Sequence, residues 1–143
     1  MKQFVFLSLL ALLIGAASCH KNDSTLKFQL DQAFTLDFGA TSEWADDPDV
    51  NIRFDKTVAD SRCPIDAECV WAGRVEVQVT FTQPNGTQTG TLALGDNTGT
   101  NYSDTAVFGN FTVKLLNVKP QPKASQPIDQ ADYQLELKVT KTK

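Results

Sequence analysis

Carboxylates are the groups in this chain best placed to do chemistry. Asp46, Asp47 and Asp49 fall within four positions, and Asp66 and Glu68 sit inside a short loop between two cysteines, Cys63 and Cys69. If the two groups met at one end of the fold, their oxygens would suit Ca²⁺, a hard cation that takes six to eight such ligands. The spacing does not follow the EF-hand pattern, so acidic loops kept in water are the plainer reading. A carboxylate-dependent hydrolase would need two acids facing each other across a cleft. The one histidine, His20, lies near the N-terminus, so the body of the chain has no Ser-His-Asp or Cys-His unit and no His-rich metal site. The glycines are scattered, and no phosphate-binding loop is present. The expectation is a non-enzymatic protein with no cofactor and no assigned metal.

The cysteines speak to compartment. Met1-Lys2-Gln3 precedes an apolar run of 11 residues, Phe4–Ile14, then Gly15-Ala16-Ala17-Ser18-Cys19. A basic start, a short apolar core and a small-residue cleavage region make a secretory signal peptide over 1–18. The run falls short of the roughly 20 residues that span a bilayer. Ala16-Ala17-Ser18-Cys19 resembles the lipobox of bacterial lipoproteins, although Ala16 stands where Leu is usual. That resemblance implies that Cys19 becomes the first mature residue and carries lipid. Of the three cysteines, removing Cys19 leaves Cys63 and Cys69 to form one disulfide in an oxidising compartment. A tether follows over 19–25, and the expected location is the bacterial cell envelope, with the outer membrane favoured.

Charge narrows the partners. The segment 1–18 holds only Lys2, so the remainder has 12 basic and 17 acidic residues, a net charge of about −5. With no Lys/Arg cluster, nucleic acid is a poor ligand, and contact with a membrane falls to the lipid alone. A protein or glycan of unknown identity is the expected partner.

The elements that must hold these residues are strands. Apolar side chains alternate with polar ones at Leu26–Leu30, Phe34–Phe38, Val50–Phe54 and Tyr133–Val139. One long strand, with inward Trp71, Val75, Val77, Val79 and Phe81, is expected from about Trp71 to Thr82. Pro84-Asn85-Gly86 turns it into a hairpin, because Asn and Gly tolerate positive φ. The inward row Phe111, Val113, Leu115 changes parity at Leu116 and Val118, which predicts a β-bulge near Leu115–Leu116. Residues 39–49 read as a loop containing Trp44, which is either a stacking surface or a lid on the end of the fold. The sum is an all-β domain over 26–143. An immunoglobulin-like antiparallel β-sandwich of about seven strands leads, with a small closed β-barrel as the alternative.

The run Asp60-Ser61-Arg62-Cys63-Pro64, followed by Cys69-Val70-Trp71-Ala72-Gly73, resembles a motif of small uncharacterised bacterial lipoproteins, as do Thr112-Val113-Lys114-Leu115, Val118-Lys119-Pro120 and the closing Tyr133-x-Leu-x-Leu strand. The resemblance implies an envelope location and a β fold, and brings no activity or ligand. The expected recognition surface is one end of the sandwich carrying Trp44, Asp46–Asp49 and the Pro64–Glu68 loop with Ile65. Its function is expected to be that of a lipid-anchored binding or accessory module. A Ca²⁺-stabilised module, the hydrolase and a protease inhibitor are the alternatives.

Overall fold

A computed structural model of the chain describes residues 25–142. The segments expected to be a signal peptide (1–18) and a tether (19–25), with Cys19, lie outside the described residues except for residue 25. Nine strands form two sheets: β1 (Leu26–Phe28), β2 (Ala33–Asp37), β3 (Thr41–Trp44), β4 (Asp47–Asp60), β5 (Arg74–Gln83), β6 (Gly86–Gly95), β7 (Thr105–Phe108), β8 (Phe111–Lys119) and β9 (Gln134–Lys141). One sheet runs β1-β3-β4-β5-β6, the other β2-β9-β8-β7, and neither closes. The fold is a β-sandwich. All strand pairs are antiparallel except β1 with β3.

The alternation seen in the sequence is what the two sheets share. Val75, Val77, Val79 and Phe81 of β5 and Ile52 and Phe54 of β4 meet Val113 and Leu115 of β8 and Leu135, Leu137 and Val139 of β9, all fully buried. The bulge predicted near Leu115–Leu116 is present: the β8–β9 register shifts between Leu115 and Asn117, which returns Val118 to the interior. Two further shifts in β4 carry its inward row from Phe54 to Thr57 and then from Thr57 to Asp60, opposite Val79, Val77 and Val75 of β5. The half of this 14-residue strand beyond Phe54 therefore buries Thr57 and leaves Val58 exposed.

Three expectations change. The described residues form nine strands because Thr41–Trp44 and Thr105–Phe108 pair as well. Each buries a single side chain, Ser42 or Phe108, so neither shows a readable alternation. The β5–β6 turn centres on Pro84-Asn85, with Gln83 opposite Gly86, and of these only Gly86 takes positive φ. Finally, β5 starts at Arg74, not Trp71. Gly73 has φ +65°, and any side chain there would run into the Ser61 carbonyl, so the backbone breaks from the strand at that glycine.

Candidate recognition site

Residues 61–73 leave β4 and rejoin the sheet at β5 as a braced loop. Its neck is a backbone closure: Ser61 N–H donates to the Arg74 carbonyl (2.8 Å), and Arg74 N–H donates to the Ser61 hydroxyl (3.2 Å). The Cys63–Cys69 disulfide spans the loop, with Cα atoms 5.9 Å apart. Inside it Ala67 N–H donates to the Pro64 carbonyl (3.1 Å), which folds Pro64–Ala67 into a turn.

The loop is tied to the opposite sheet as well. Ile65 N–H donates to the Pro122 carbonyl (3.0 Å), and the Asp66 carboxylate accepts from Ala124 N–H (2.7 Å). Nearby, the Gln130 amide spans the backbone of Thr57, accepting from its N–H (2.9 Å) and donating to its carbonyl (2.8 Å). The segment linking β8 to β9 is thereby bound to β4, in the other sheet, and to the loop.

The strongest tie is a buried charge pair that the sequence reading missed. Arg62 meets the Asp60 carboxylate with both Nε (2.9 Å) and Nη2 (2.6 Å), and both side chains are about nine-tenths buried. Two further guanidinium protons go to the carbonyls of Val118 (2.6 Å) and Pro120 (2.8 Å) at the end of β8. Tyr133 donates its hydroxyl to Asp60 (3.1 Å). Burial, with the Asp60 charge and hydrogen bond adding to it, pushes the Tyr133 phenol up to about 12. Arg62 is therefore a fixed bracket between the loop and the second sheet, with a donor for each acceptor it faces. The sequence signal was an acid and a base two positions apart beside Cys63.

What the brace presents is apolar. Ile65 is 64% exposed, Val70 99% and Trp71 59%. Trp71 was expected to pack inward; it lies before the strand begins, so strand parity does not apply to it. Its indole N–H donates to the Ser61 carbonyl (3.3 Å), which fixes the ring while leaving most of it in solvent. Val70 likewise precedes the strand, so its exposure could not be read from strand parity either. The loop joining β6 to β7 arrives at the same end, where Asp96 N–H donates to the Gly73 carbonyl (3.0 Å), and it carries exposed Tyr102.

The expected grouping of Trp44 and Asp46–Asp49 with this loop does not occur. Trp44 lies opposite Asp47 at the start of β4, whereas the cystine loop leaves its other end. A 14-residue strand separates them by about 40 Å. Trp44 is a half-buried strand residue and a lid: it packs edge-on to Phe111 (5.9 Å), with the Lys141 ammonium 5.1 Å from its ring centre. The acids divide likewise. Asp46, Asp47 and Asp49 stand at one end, Asp66 and Glu68 at the other, so no single ion or substrate meets both groups. Among the described residues no three acids, cysteines or histidines come close enough to hold a metal ion.

Comparison with protein-family models, curated proteins and solved structures finds no match.

Proposed function

We propose that this chain is a non-enzymatic binding module of the bacterial cell envelope, held to the membrane by lipid on Cys19, and that it recognises a protein partner through the cystine-loop end. The observation that supports this reading most is the exposure of Ile65, Val70 and Trp71 on a loop that a disulfide, the Asp60–Arg62 pair and several backbone bonds hold in place. Side chains fixed before binding lose little conformational freedom on association. Aromatic and aliphatic anchors of this kind supply most of the affinity at protein interfaces. Nothing in the packing of the domain requires Val70 to be apolar.

The partner this surface fits offers a concave apolar pocket. A protease-inhibitor role fits less well, because a protease cleft takes an extended segment and Pro64–Ala67 is folded as a turn. The test is capture of partners from envelope extract by the wild-type chain and by an Ile65→Ser/Val70→Ser/Trp71→Ser variant, with captured proteins identified by mass. The expected result is a partner retained by the wild type and lost by the variant. An unchanged set of captured proteins overturns the reading.

A further inference from the structure

The outer edge of β6 lacks the devices that normally keep a sheet edge from pairing. From Gln83 to Gly95 the chain holds no charged residue, and the β5–β6 register runs without a shift from Gln83–Gly86 to Arg74–Gly95. Natural edge strands are usually shortened, bulged, or marked with lysine or proline. Here β1 has three residues, β7 four and β2 five, but β6 has ten and no proline.

The register determines which backbone groups are free. With Gln83 opposite Gly86 across a two-residue turn, the N–H and C=O groups of residues 87, 89, 91 and 93 face away from β5. Ala93 N–H is taken by the Ser103 carbonyl (2.8 Å), whereas those of Thr87, Thr89 and Thr91 find no partner among the described residues. Their side chains lie on the outer face. There the hydroxyl of Thr89 meets Thr80 (3.1 Å) and that of Thr87 meets Thr82 (3.3 Å).

We propose that β6 pairs with β6 of a second copy of this chain, antiparallel and two-fold symmetric about Thr89. This placement sets Thr87 opposite the partner's Thr91 and Thr89 opposite the partner's Thr89. It satisfies the free groups with about six backbone bonds and joins two five-stranded sheets into one. Charge is what selects a second copy over a different strand. In a two-fold contact every charge near the axis meets its own kind, so self-pairing demands a charge-free strip, and this acidic chain has one here. Threonine pairs across antiparallel strands are favourable. The pairing does not depend on the cystine loop.

The test uses the full chain with Thr89→Cys, read on a non-reducing gel, with Thr98→Cys in the exposed β6–β7 loop as control. Opposed residues of this type sit at a Cα separation that a disulfide accepts. The expected result is a covalent dimer for Thr89→Cys and none for Thr98→Cys. In sedimentation, Thr89→Lys and Thr89→Asp should each weaken dimerisation roughly tenfold by placing like charges at the axis, and an equimolar mixture should restore it. Circular dichroism of each variant checks that the fold is kept. A monomeric wild type with no cross-link at 89, or a cross-link from 89 to a different protein, overturns the proposal.

Discussion

At the scale of single residues, Asp60, Arg62 and Tyr133 decide whether the exposed loop is held. Arg62→Met leaves the buried Asp60 carboxylate with the Tyr133 hydroxyl and the backbone N–H of residue 62 but no opposing charge, and strips donors from the Val118 and Pro120 carbonyls. Breaking one side of a buried pair costs about 3–5 kcal/mol, so a drop of that size in denaturant unfolding is expected. A loss below about 1 kcal/mol would show the pair to be solvent-screened. Tyr133 gives a pH test. Its folded pKa, about 12, lies above the ordinary 10.0, so the folded state holds the proton longer. Its contribution is fully present below pH 10 and declines as pH rises through about 12. Ultraviolet titration of the wild type minus Tyr133→Phe should place its step near 12, and a step near 10 would contradict the network. The sequence showed that Tyr133 faces inward. It did not show that the phenol reaches Asp60, because the partners are 73 positions apart and periodicity says nothing about contacts between sheets.

At the scale of elements, the strands were more legible than the loops. The rows of β5 and β9 and the β8 bulge follow from which face of each strand is buried, and that choice is written in the sequence. Trp71 was misplaced because period two was carried across Gly73, to a residue three positions before β5 begins at Arg74. Gly73→Ala should lower stability by roughly 2 kcal/mol, since it combines a left-handed backbone with a clash at Ser61. A neutral effect on the thermal melt would mean that the neck relaxes at little cost. Replacing Cys63 and Cys69 together by serine should cost about 2 kcal/mol, the loop-closure entropy of a ring of about seven residues. It should also raise hydrogen exchange at Ile65 and Ala67 above that elsewhere in the fold. Uniform exchange in both forms would show that the Arg62 bracket alone suffices.

At the scale of the whole molecule, the β-sandwich was legible from composition and period, whereas the arrangement of its ends was not. Which loops share an end depends on the length and direction of β4, which runs from Asp47 to Asp60 as one element although only Val50–Phe54 shows clean alternation. Two bulges hide the rest. The acid groups at Asp46–Asp49 and Asp66–Glu68 thus stand about 40 Å apart, and the thermal melt should be the same in Ca²⁺ and in EDTA. A rise with Ca²⁺ would require a site that the described residues do not form. The central claim is that the cystine-loop end is where a partner binds. It is tested most directly by placing a photo-cross-linking residue at Val70 in the full chain, in its own cell envelope, where full exposure of that position leaves the fold undisturbed. The account predicts a discrete adduct at Val70 that Trp71→Ser abolishes. An absent adduct at Val70, together with one from the same probe at Asn85 on the far end, would contradict it.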